Sequence, residues 1–190
     1  MKIAEIEHTP NPNAMKFVLT EPITRGFVTR SFEGPDDAVD TPLASQIFEI
    51  EHVISVYFAD RWITVTQDGG APWPELMREI AVPIRAATLD DALAAIGSPS
   101  SGLVVEGFED NPGLDDPRIP MIREVLEIHI LPFLAGDGGG LQIVGLVDDQ
   151  LMIRYEGACG TCPASMSGTL MAIENLIQVE VDPSILVVTV

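Results

Sequence analysis

Residues 141–163 read LQIVGLVDDQLMIRYEGACGTCP. Two apolar runs, LQIVGLV (141–147) and QLMIRYEG (150–157), meet at Asp148-Asp149 and predict a β-hairpin. The second run leads straight into Cys159 and Cys162, the only two cysteines in 190 residues. Pro163 suits the first position of a helix, and 163–178 place Met166, Leu170, Ile173 and Ile177 at helical spacing. The cysteine pair therefore falls in a loop between a strand and a helix.

Outward from this stretch, IPMIREVLEIHILPFLAG (119–136) predicts one amphipathic helix, using Ile122, Val125, Leu126 and Ile130. The run Gly136-Asp137-Gly138-Gly139-Gly140 ends it, where glycine can take positive φ. ILVVTV (185–190) predicts a last, fully apolar strand. The second half thus reads α-β-β-α-β, with the CxxC loop before its second helix.

The first half predicts strands at 15–20 and 26–32 and a helix over 42–50, with Thr41 as N-cap and Pro42 at its first position. A hairpin about Asp60-Arg61 joins 53–59 to 62–67, and a helix from about 74 is kinked or ended by Pro83. Between the halves, 88–116 holds seven acidic residues and no Lys or Arg, with the loop signals GSPSSG and NPG. Part of it, LDDALAAIG, can form a short helix capped by Thr88 with Asp91 at the box position. The fold expected is α+β in two small domains, 1–87 and 117–190, joined by an acidic linker over 88–116.

Composition bounds the function. The chain is 46% hydrophobic and 21% charged, which suits a globular protein with its own core. Its net charge of −19 opposes phosphate backbones and anionic lipid, so neither nucleic acid nor a membrane is an expected partner. No apolar run approaches the roughly 20 residues of a membrane span, and the start MKIAEIEHTPNPNAMKF lacks a signal-peptide pattern. Two cysteines do not make a secreted disulfide framework. A cytosolic, reducing location is expected.

Cys-x-x-Cys lets both sulfurs converge on one metal or on each other. Cys162 as N-cap would face free backbone N–H groups and the positive end of the helix dipole. Both favour its thiolate and lower its pKa from the free value of ~8.5. Gly157, Ala158, Gly160 and Thr161 are small and are expected to leave the sulfurs open. Zinc sites and iron–sulfur clusters usually take four protein ligands, and the chain offers two thiols. None of His8, His52 and His129 has metal-ligand spacing to them. A second copy related by a two-fold axis would complete the set, at a shared site easy to load and unload. Soft sulfur suits iron–sulfur clusters, Zn2+ and Cu(I) alike, and spacing does not choose among them.

The run DGGGLQIV…GLVDDQLMIRYEGACGTCPASMSGTLMAIENLI (137–177) resembles the C-terminal domain of NifU-like (Nfu-type) iron–sulfur scaffold proteins. The stretches HTPNPNAMKF (8–17), TPLASQIFEI (41–50) and VYFADRWITVT (56–66) are similar to that family's separate N-terminal domain. The resemblance implies a non-enzymatic carrier. It would bind a [4Fe–4S] cluster between two subunits through Cys159 and Cys162, and pass it to apo iron–sulfur proteins. It further implies that the N-terminal domain contacts partners, cluster-assembly proteins among them. Two other classes share the motif. A dithiol–disulfide oxidoreductase also places CxxC at a helix start, but in a parallel β-α-β core rather than after a hairpin. A Zn2+ or Cu(I) carrier uses a CxxC loop in a different element order.

Overall fold

The structure, a computed structural model, describes residues 1–24, 29–93, 112–162 and 168–190. The chain divides into two compact units, Met1–Gly102 and Leu103–Val190. Both combine helices with a sheet, so the α+β class holds. Most of the expected linker, Gly26 to Val28 of the expected second strand, and Pro163 at the expected helix start lie outside the described residues. Among the described residues no helix is long and apolar enough to cross a membrane.

In the first unit the strands are β1 (Ile3–His8), β2 (Ala14–Leu19), β3 (Thr29–Phe32), β4 (Val53–Ala59) and β5 (Trp62–Gln67). They form one antiparallel sheet in the order β1-β2-β5-β4-β3. Alternate residues Met15, Phe17 and Leu19 of β2, Val56 and Phe58 of β4, and Ile63 and Val65 of β5 are buried in one core, as a period of two requires. Helices α1 (Pro42–Phe48) and α2 (Trp73–Ala86) cover them with Leu43, Ile47, Leu76, Ile80 and Ile84.

Strand β1 has no counterpart among the strands expected from the sequence. A bulge between Ile3 and Glu5 lets Ile3 and Ile6 both pack on the core, which breaks the alternation that would mark a strand. Helix α2 runs three residues past Pro83. The proline loses one backbone bond, but buried Ile80 and Ile84 on either side keep the turn in place. Thr41 occupies the N-cap of α1 without capping it, and among the described residues its buried hydroxyl makes no hydrogen bond. The capping box at Thr88 is present at the start of α3 (Leu89–Leu93). The Thr88 N–H and O–H donate to the Asp91 carboxylate at 2.6 and 2.7 Å.

In the second unit the expected single helix is two, α4 (Ile119–His129) and α5 (Leu131–Gly136). The break falls at Ile130, φ −113°. Pro132 has no N–H to give the ladder, and its ring clashes with the carbonyl four residues back. Strands β6 (Gly139–Val147) and β7 (Gln150–Gly157) pair antiparallel. Asp148 and Asp149 take φ of 46° and 63° in the turn between them, the left-handed pair that matches hairpin twist. Helix α6 (Leu170–Glu180) then crosses over to β8 (Leu186–Thr189), which lies parallel to β7. Ile122, Leu126, Leu134, Ile143, Ile153, Ile173 and Ile177 fill the core between sheet and helices.

Residues 112–116 pack against β6. The Pro112 carbonyl accepts the Leu146 N–H at 3.0 Å, and a Cβ on Gly145 would collide with that oxygen. Arg118 then gathers three carboxylates: Asp116 at 2.9 Å, Asp149 of the hairpin turn at 2.6 Å, and Asp182 after α6 at 3.0 Å. One guanidinium thereby joins the start of α4, the hairpin tip and the approach to β8.

Arg118 holds the Asp116 carboxyl below the usual carboxylate range. Asp182 is lowered first by hydrogen bonds from Ser184 and then by Arg118. A lowered folded-state pKa gives stability that is complete above the unfolded value of about 3.9 and is lost as pH falls through the folded value. Arg118→Gln is therefore expected to lower the melting temperature at pH 7, with the gap to wild type closing below about pH 4. Thermal denaturation across that pH series checks both parts.

Candidate metal centre

Residues 138 and 139 bring the end of α5 back onto the sheet. Gly138 takes φ +79°, a conformation that costs other residues. Its carbonyl accepts the Ala158 N–H at 3.2 Å, which extends the β6–β7 ladder one step into the cysteine loop. Across the ladder Gly139 pairs with Gly157, and Leu141 with Tyr155. Two opposed glycines leave a notch where side chains would stand.

The Cys159 sulfur fills that notch. A Cβ added to Gly139 would lie 2.6 Å from Cys159 Sγ, 2.6 Å from the Glu156 carbonyl oxygen and 2.9 Å from the Cys159 nitrogen. Gly157, φ +59°, starts a run of tight turns. The Cys159 N–H donates to the Glu156 carbonyl at 3.3 Å, Gly160 to Gly157 at 3.1 Å, and Cys162 to Cys159 at 3.4 Å. The last bond folds Cys162 back toward Cys159, so the two thiols share one turn. No disulfide joins them.

One expectation is corrected here. The small residues of the loop do not leave the sulfurs open: Cys159 is 2% and Cys162 4% exposed in the single chain. For Cys159 the shield is backbone, because the strand carrying Gly139 lies directly over the sulfur. The expected N-cap geometry of Cys162 needs Pro163, outside the described residues. The topology also narrows the difference from an oxidoreductase site. The loop follows an antiparallel hairpin, yet β7, α6 and β8 form a parallel crossover. The CxxC thus stands at a strand-to-helix junction of the β-α-β kind.

The histidines take no part. His52 pairs with Asp68 at 3.1 Å in the first unit. His8 ends β1 and His129 ends α4. Among the described residues no three His, Cys, Asp or Glu side chains converge as metal ligands. Three residues at the loop are invisible as site residues in the sequence. In the sequence Gly138 and Gly139 read as a helix stop and as part of the run that carries the family resemblance, not as the cover of a sulfur. Tyr155, one residue of the apolar run, buries its hydroxyl beside the loop. The pairing of two glycine clusters with one cysteine loop is the available signal.

The second unit is a sheet with a helix crossover that carries a glycine-clasped dithiol loop, on the same chain as the first α+β unit. Residues 3–89 match the family model "Scaffold protein Nfu/NifU N terminal", and residues 122–188 match "NifU-like domain". The chain belongs to the Nfu/NifU family, a family of scaffold and carrier proteins and not of enzymes. It is 34% identical over 176 residues to the human "NFU1 iron-sulfur cluster scaffold homolog, mitochondrial", covering 92% of this chain and 66% of that one. The protein of the same name from Drosophila ananassae is 27% identical over 92% of this chain and 59% of its own length. The chain therefore spans just under two thirds of the length of these relatives. A Staphylococcus aureus protein of known crystal structure aligns over 44% of this chain and 99% of its own, at 27% identity and TM-score 0.40.

Gly139→Ala is expected to force the loop away from β6 and to cost about 1–3 kcal/mol, the usual range for overpacking. Urea denaturation measures the loss. Faster reaction of the two thiols with a colorimetric disulfide reagent would report the uncovered sulfurs.

Proposed function

We propose that this chain is an iron–sulfur cluster scaffold and carrier. Two copies would hold one [4Fe–4S] cluster through Cys159 and Cys162 of each, and hand it to apo iron–sulfur proteins. The observation that carries the reading is the pair of unbridged thiols sharing one turn, at the end of a sheet with a seat for one of them. Two thiolates are half of the usual coordination sphere of such a cluster, and a second copy supplies the rest by symmetry. The names of the relatives point the same way.

The cluster is cargo, and the chain's own residues do the handling. Because both thiols are covered in the single chain, loading includes a displacement of the loop from the 138–139 turn. The loop returns to that turn on release, so delivery leaves a closed, unexposed dithiol. The first unit, which contains no cysteine, would contact client and cluster-assembly proteins. The domain limits 1–87 and 117–190, with 88–116 between them, are part of this proposal. We place the carrier in the cytosol, since unbridged thiols suit a reducing compartment; the word mitochondrial belongs to the relatives' names.

A dithiol–disulfide oxidoreductase is the second reading, and the strand-to-helix position of the loop favours it. Anaerobic reconstitution with iron and sulfide decides. The carrier reading expects the absorbance of one cluster per pair of chains, a loaded dimer in sedimentation, and loss of both in a Cys159→Ala, Cys162→Ala double variant. A loaded monomer, or a double variant that still loads, overturns it. Reduction of insulin disulfides without any cluster binding would support the oxidoreductase.

A further inference from the structure

Tyr155 stands beside the cysteine loop with a hydroxyl that nothing uses. The residue is 9% exposed, its oxygen is fully buried, and among the described residues it makes no hydrogen bond. A buried hydroxyl without a partner costs roughly 1–3 kcal/mol, so an apolar residue would serve the fold of the isolated chain better. The run Leu151, Ile153 and Tyr155 shows the alternative, since its first two members fill the same core with hydrocarbon.

Register fixes where the tyrosine side chain leaves the sheet. Tyr155 opposes Leu141 and Gly157 opposes Gly139. Directly opposed residues project from the same face, and residues two apart on a strand share a face about 6.8 Å apart. The missing Cβ of Gly139 points at Cys159 Sγ. The sulfur therefore sits over the glycine pair, one step along the same face from Tyr155. Tyr155 and Cys159 belong to one packed cluster.

We propose that Tyr155 is a cluster-binding residue: once the loop has lifted from the notch one step along the face and the cargo is loaded, its hydroxyl donates a hydrogen bond to the Cys159 thiolate or to a cluster sulfide. This rests on the carrier reading above. The loaded site gathers negative charge in an acidic protein, and a neutral donor at the sulfur offsets part of it without adding a counter-ion. The empty chain bears the cost of an orphaned donor, and binding removes it.

Tyr155→Phe in the full chain tests this. The apo variant is expected to melt at or above the wild-type temperature, because it gives up a bond that was never made. After anaerobic reconstitution to equal occupancy, the variant should lose its cluster to a chelator on the order of tenfold faster. Its reduction potential should be more negative, since hydrogen bonds to cluster sulfur raise the potential. The iron–sulfur stretching bands of the wild type should shift in D2O and those of the variant should not. Equal release rates and equal potentials in the two proteins overturn the role of Tyr155 and leave the carrier reading intact. A lower apo melting temperature with unchanged release likewise assigns the hydroxyl to the fold. Failure of the wild type itself to load a cluster overturns the carrier reading and this proposal with it.

Discussion

The second unit is organised by a steric vacancy. Gly139 and Gly157 face each other across β6 and β7, and the missing side chain of Gly139 makes the seat for the Cys159 sulfur. Glycine weakens a strand by backbone entropy and poorer packing, so two opposed glycines at a strand end are unfavourable unless something fills the gap. Here the filler is the chemically useful atom. The Gly138 turn and the Ala158–Gly138 hydrogen bond lock the loop to the sheet just beside that gap. Position of the thiol and closure of the ladder are thus one constraint.

The rest of the unit keeps that ladder in register. A one-residue slip of β6 on β7 would set Gly139 against Ala158 or Glu156 and would turn the core face outward. Two features oppose the slip. The Asp148-Asp149 turn, with both residues left-handed, fixes the hairpin at its far end. Arg118 ties that turn to the starts of α4 and β8 through Asp149, Asp116 and Asp182. The ion pairs are partly exposed, and such pairs individually add little to stability. Joined on one guanidinium, they hold three chain segments together at the end of the hairpin opposite the cysteines.

What is legible in the sequence follows from which forces are local. The hairpin at 141–157, the strand-helix junction at the cysteines and the capping box at Thr88 depend on residues close in the chain, and all can be read there. The break at Ile130 is also written locally, in Pro132, but the strong amphipathic period of 119–136 masks it. Strand β1 is hidden by its bulge, which spoils the period of two. The course of α2 past Pro83 is decided by burial of Ile80 and Ile84 against the sheet, a tertiary effect that outweighs the local penalty. At the site, cysteine spacing names the ligand candidates at once. The covering of the sulfurs is not legible, because it depends on which backbone lies across a sheet from the loop.

That covering bears on how a two-thiol carrier can work at all. An open dithiol would be quick to load and equally quick to oxidise to a disulfide, since reactivity follows exposure and thiolate fraction. A sulfur held under β6 exchanges that hazard for a barrier: the loop must leave the Gly139–Gly157 notch before a metal can reach Cys159. What the loop gives up in that step is small, a notch one side chain wide and a few turn hydrogen bonds of modest net strength. In the proposed dimer, a second copy bringing two more thiolates would supply soft ligation that the notch cannot match. On the proposed carrier reading, the balance between a weak internal seat and a strong shared site would let one short loop protect its thiols when empty and release a cluster when full.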